Sequence, residues 1–135
     1  MKVKEFIERT GITIEASLVD FNPNIEERDE WNKGARHFLC TLFYKDRTME
    51  FHYTYGRLNF NNPEDELEET LCNLSRDCYA TIVNFEEWAT EFGYDTDSRK
   101  AERTYLACHK IAQNFRELFQ EVDTFKTFLS IEEEE

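Results

Sequence analysis

FGYDTDSRKAERTYLACHKIAQNFRELF, residues 92–119, is the stretch from which the fold is read. Within it Ala101, Tyr105, Cys108, Ala112, Phe115 and Phe119 recur at steps of four and three, one apolar stripe along about five helical turns. Arg99, Arg103, Lys110 and Gln113 fall on the opposite side, so one face meets a core and the other meets water. Gly93 suits the left-handed residue that closes a preceding helix. Asp95, Thr96, Asp97 and Ser98 then offer side-chain oxygens to the first free N–H groups of the new helix.

The neighbouring segments repeat the helical logic. Toward the N-terminus, Asn84 caps a shorter helix carrying Phe85, Trp88, Ala89 and Phe92. Before that, Asn62 is expected to cap a helix whose first residue is Pro63, where the missing N–H costs nothing. Leu67, Leu71, Leu74 and Cys78 give that helix its apolar side. On the C-terminal side, Val122, Phe125, Phe128 and Leu129 predict a short last helix before the tail IEEEE.

The first sixty residues read differently. Lys2 to Arg9 is a short helix or turn, and from Ile12 the period becomes two, with Ile12, Ile14, Ala16 and Leu18 on one side. Asn22-Pro23-Asn24 ends that strand, and Ile25 to Gly34 is a charged loop or short helix anchored by Trp31. His37 to Tyr44 and Met49 to Tyr55 are two further strands around a polar turn at Lys45, Asp46 and Arg47. Phe38, Cys40, Leu42 and Tyr44 share one face of the first, and Met49, Phe51, Tyr53 and Tyr55 one face of the second. His37 and His52 are placed to face each other across the hairpin. The expectation is one α+β domain: an N-terminal antiparallel sheet of about three strands, with one face covered by three to four C-terminal helices. Residues 1–60 are mainly sheet, 61–130 mainly helical, and 131–135 an acidic tail.

Composition limits the function classes. Aromatics make up 15% of the chain, with twelve Phe, which argues for a packed core. No apolar run approaches membrane-spanning length, and MKVKEFIERTG lacks the apolar segment of a signal peptide, so a cytoplasmic protein is expected. Cys40, Cys72, Cys78 and Cys108 form no C-x-x-C pair and read as buried free thiols in a reducing compartment. With His37, His52 and His109 they make no zinc-ligand spacing. Asp95 and Asp97 open a loop in which Arg99 and Lys100 stand where an EF-hand needs a ligand and a glycine. Ser98 and His109 lie about 16 Å apart along one helix, too far for a hydrolase pair. No glycine-rich phosphate loop is present. The chain is expected to be no enzyme and to use no cofactor or metal.

The charge distribution is more telling. The net charge is −13: residues 1–60 hold ten acids and nine bases, residues 61–135 nineteen acids and seven bases. Such a field repels nucleic acid and anionic membrane and attracts basic surfaces. Two clusters stand out as candidate partner-binding residues: Glu64, Asp65, Glu66, Glu68 and Glu69, and then Glu86, Glu87, Glu91, Asp95 and Asp97; Glu117, Glu121, Asp123 and Glu132 to Glu135 add seven more acids against Lys126. The basic group Arg99, Lys100 and Arg103 reads as an ion-pairing partner for the acids at Glu64–Glu69 or Glu86–Glu91, with phosphate binding as the alternative. Carboxylates a few ångströms apart on a folded surface approach the phosphate spacing of a duplex. The bland alternative is a solvated surface that only keeps the protein soluble.

The segment FEEWATEF followed by GYDTDSRKAERTYLAC, residues 85–108, resembles the C-terminal signature of a family of small proteins encoded by bacteriophages and prophages. Members share an aromatic hairpin ending in glycine, here His37 to Gly56, then an acidic connecting helix, then this block. The resemblance implies a phage setting and supplies no mechanism. Within that setting the acidic surface points to an inhibitor of a host nucleic-acid-targeting defence protein, an anti-CRISPR or anti-restriction factor acting by nucleic-acid mimicry. Its partner would be a host protein with a basic nucleic-acid-binding groove, with no direct nucleic-acid or membrane binding. The alternative is a structural or accessory phage protein that self-associates, as a homodimer for example, or works through an aromatic surface at Trp31, Tyr53 and Tyr55.

Overall fold

The computed structural model describes residues 1–24, 34–56, 60–96 and 98–133. Trp31 and the charged segment around it, Asp97, and the last two glutamates lie outside the described residues. Helix α1, Val3–Thr10, is followed by strands β1 (Thr13–Val19), β2 (Arg36–Tyr44) and β3 (Arg47–Tyr55). Helices α2 (Leu67–Asp77), α3 (Phe85–Glu91), α4 (Arg99–Phe119) and α5 (Val122–Leu129) complete the chain, with a 3-10 turn at Cys78–Thr81 after α2. The class is α+β, as the alternation of periods implies.

The sheet is antiparallel in the order β1-β2-β3. Its register is free of bulges: Thr13 pairs with Phe43 through to Val19 with His37, and Arg36 with Tyr55 through to Tyr44 with Arg47. The hairpin loop is therefore two residues, Lys45 and Asp46, and Arg47 belongs to β3 rather than to the turn. Lys45 adopts φ 55, the left-handed bend such tight loops need. The same register places His37 opposite Thr54 and His52 opposite Leu39, so the two histidines do not face each other. His37 Nδ1 lies 2.9 Å from Thr54 Oγ1 instead.

Phe38, Cys40, Leu42, Tyr44, Met49, Phe51 and Tyr55 are buried on one face. Val3 and Phe6 of α1 join Leu71, Leu74, Phe115, Phe119, Phe125 and Phe128 in covering them. The cover thus includes the N-terminal helix, because Val3 and Phe6 sit one turn apart on one side of it. Leu18 shares the core side of β1 but is 66% exposed at the far end of that edge strand. The α4 stripe is as read: Ala101, Cys108, Ala112, Phe115 and Phe119 are buried and Ser98 Oγ accepts the Ala101 N–H at 3.2 Å. A second, smaller core of Ala80, Trp88, Ala89, Ala101 and Cys108 fastens α3 to α4.

Two contacts tie the periphery. Arg47 crosses to the C-terminus of α4, donating to Leu118 O (2.7 Å), Phe119 O (3.1 Å) and Gln120 Oε1 (2.9 Å), where a cation meets the helix's unpaired carbonyls. The tail is bound at its root: Val3 N–H donates to Glu132 O at 2.8 Å and Glu132 N–H to Met1 O at 3.0 Å.

Candidate acidic binding surface

The first acidic cluster is built by a turn, not by the start of a helix. Asn62 Oδ1 accepts the Glu64 N–H at 2.9 Å, and Asn62 O accepts from Asp65 (2.9 Å) and Glu66 (3.1 Å). Glu66 then takes φ −120, ψ 46, which no helix continues, and α2 begins only at Leu67. The expected helix at Pro63 is corrected accordingly: the asparagine closes an Asx turn, which competes with helical bonding. Glu68 and Glu69 occupy the first turn of α2, where the helix dipole favours anions.

Glu64 has a structural task. The Arg36 guanidinium holds the carbonyls of Phe60 and Asn61, which leads the chain back across the end of the sheet to β1. There Glu64 Oε1 accepts the N–H of Ala16 at 2.7 Å. β1 is an edge strand, and this carboxylate occupies one of its outward donors. The remaining members divide by exposure: Asp65 and Glu68 are exposed, Glu66 and Glu69 half-buried.

The second cluster sits on α3 and the turn after it. Asn84 caps as read, its Oδ1 accepting the Glu87 N–H at 2.9 Å. Glu86, Glu87, Glu91 and Asp95 are exposed, and Asp97 lies outside the described residues. Their placement is rigid because Trp88 stacks on Tyr94 at 5.1 Å and 8°, and Tyr105 donates its hydroxyl to Val83 O at 2.9 Å. Gly93, at φ 76, lets the chain reverse between α3 and α4.

Tertiary structure rearranges the two clusters. Glu91 shares a cleft of about 570 Å³ with Cys72, Arg76, Glu132 and Glu133, while Glu64 lies beyond the opposite end of α2. Between them, the buried Cys72 thiol is raised first by desolvation and then by the charges of Glu133 and Glu68. Glu133, Glu132 and Glu91 thus stand together beside α2, with Glu68 one turn from Cys72 on that helix, and the strip holds two cations: Arg76 pairs with Glu133 at 3.6 Å and Lys2 with Glu132 at 3.8 Å. Among the described residues, Asp65, Glu66, Glu68, Glu69, Glu86, Glu87 and Glu91 make no ion pair. The tail's place in this strip was not legible in the chain order, since bonds to Met1, Lys2 and Val3 at the other end of the sequence and to Arg76 bring it there.

The aromatic surface does not form as expected. Tyr55 is buried, and Tyr53, half-buried, accepts a hydrogen bond from Asn73 Nδ2 at 2.7 Å, so both face α2. All four cysteines are free and buried. Desolvation pushes the Cys40 and Cys108 thiols up to about 12 and raises Cys78 further. Asp77 remains accessible to solvent, yet the protein around it crowds out enough water to push its carboxyl up to about 6, against the opposing charge of Arg76. Among the described residues no group of three or more His, Cys, Asp or Glu is placed to hold a metal ion, and no helix is long and apolar enough to cross a membrane. No family model, curated protein or solved structure matches the chain.

Proposed function

We propose that this protein is a phage-derived stoichiometric inhibitor that occupies the basic nucleic-acid-binding groove of a host defence protein. The observation that carries the reading is the strip Glu68, Glu133, Glu132, Glu91: two carboxylates on helices α2 and α3 and two on the tail root that Met1 and Val3 bond, with Arg76 and Lys2 as the paired cations, in a chain whose helical part holds nearly all the net charge. A mimic of a duplex needs such fixed anions, because affinity for a basic groove comes from displaced counterions and is lost if the charges must first be ordered. The phage setting is supported by the resemblance at residues 85–108 and by analogy alone. Of the aromatic residues on which the accessory-protein alternative draws, Tyr55 is buried in the core and Tyr53 is half-buried with its hydroxyl bonded to Asn73.

The test compares wild type with Glu68→Lys/Glu91→Lys/Glu132→Lys as immobilised baits in a bacterial host lysate, washed at rising salt. Glu64 is left intact because it supports β1. Retention of a nuclease or guide-RNA complex by wild type, released by salt and absent from the variant, is expected. Equal retention by both baits refutes the strip as the contact. Recovery of the bait alone, or of virion proteins, moves the function to the accessory class.

A further inference from the structure

The two edges of the sheet are treated differently. Hydrogen-bonded and open pairs alternate in an antiparallel ladder, and a two-residue loop closes on a bonded pair, Tyr44 with Arg47. Counting from it, the backbone groups of Thr48, Glu50, His52 and Thr54 point away from β2. On β1 the same count turns Ala16 outward, and there Glu64 fills the place. Among the described residues nothing bonds the outward backbone of Thr48, Glu50 or His52. β3 is nine residues long, without bulge or proline, two of the usual devices that close an edge; at its far end Asn22 Nδ2 donates to Thr54 Oγ1 at 2.9 Å, and Asn22, Pro23 and Asn24 line the cleft there.

That open edge lines a groove. Two stretches of cleft, about 490 and 440 Å³, share Glu50 and Asn114 and run between β3 and α4. Toward the core its wall is apolar, with Phe51, Leu74, Ala107 and Ile111. Its charged residues include Glu50, Asp77 and Glu117 against Lys110 and Arg47, and Arg47 is already spent on the end of α4. A second copy of a chain with net charge −13 is repelled from such an edge, whereas a basic strand is attracted.

We propose that the β3 edge is a docking groove for an extended, basic segment of a partner protein, which adds as a fourth strand. Its backbone would pair with Thr48, Glu50 and His52. Alternate side chains would enter the apolar wall under α4, and those between would carry lysine or arginine toward Glu50 and Glu117. The site is separate from the α2 strip and stands or falls without the inhibitor reading.

The probe is a labelled nine-residue peptide of alternating lysine and valine with blocked ends, read by fluorescence anisotropy and by amide exchange on the full chain. Expected is slowed exchange at Glu50 and His52, with Met49 and Phe51, already bonded to β2, unchanged. His52→Pro removes an outward N–H and no ladder bond, and should weaken binding by about tenfold or more. The same loss is expected when the peptide is N-methylated at alternate residues, which leaves the protein untouched. Glu50→Lys/Glu117→Lys should weaken the lysine peptide and favour a glutamate-valine one. The proposal is overturned if the N-methylated peptide, or one with its lysines and valines in separate blocks, binds equally well. It is also overturned if nothing binds by about 1 mM, or if the edge amides become protected with rising protein concentration alone, the mark of a second copy.

Discussion

Phe119 is where the covering helices and the sheet meet, and its truncation tests the packing directly. Its ring lies 5.8 Å from Phe6 of α1, 5.2 Å from Tyr44 of β2, 5.6 Å from Phe115 and 5.4 Å from Phe128 of α5, and it is fully buried. Removing a buried phenyl ring costs about 3–5 kcal/mol in lost transfer energy and cavity. Aromatic pairs add roughly 0.5–1.5 kcal/mol each, not additively, which places Phe119→Ala toward the upper end. With an unfolding entropy of about 2.1 cal/mol/K per residue, 1 kcal/mol moves the Tm of this 135-residue chain by roughly 3.5 °C. The expected drop in Tm is therefore about 10–18 °C, seen in urea as a lower midpoint at unchanged slope. Phe60→Ala is the control, since that ring is 80% exposed and its loss should stay within about 0.5 kcal/mol. A loss at Phe119 below about 1.5 kcal/mol, or one equal to the control, would refute the convergence of these elements on one ring.

Two further outcomes follow from the titratable groups. Glu121 accepts from Lys45 Nζ at 2.7 Å, which holds its carboxyl well below the ordinary 4.5, at about 2. A group depressed in the folded state stabilises fully above its unfolded value and ceases to as pH falls through the folded one. Wild type should therefore melt above Glu121→Gln at pH 7, with the gap closing between about 4.5 and 2 in a pH series of melts. A constant gap would show that the ion pair contributes nothing. The thiols should be silent: at pH 8, an aromatic disulfide reagent should find none of the four cysteines until urea unfolds the chain, and then all four. Rapid reaction in the native state would contradict the burial of at least one.

Local patterns carried much of the fold. The four-three spacing from Ala101 to Phe119, the period-two runs of β2 and β3, and the caps at Asn84 and Ser98 each depend on residues within one or two turns, so the chain states them openly. Asn62-Pro63 misled because an Asx turn and a helix cap use the same side-chain oxygen, and only Glu66's backbone angles separate them. The histidine pairing failed by register, which the two-residue loop sets and the side chains do not.

By itself, the sequence determined the α+β class, the buried thiols and the acidity of the helical part, because composition and short-range periodicity are enough for these. Which acids stand together was decided by tertiary structure alone. Glu64 was drawn away to β1 by a loop that Arg36 anchors, and Glu132 and Glu133 were brought beside Glu91 by the pairing of the chain's two ends. Both depend on backbone carbonyls and N–H groups finding partners far along the chain, and every residue carries the same ones, so no side-chain pattern announces them.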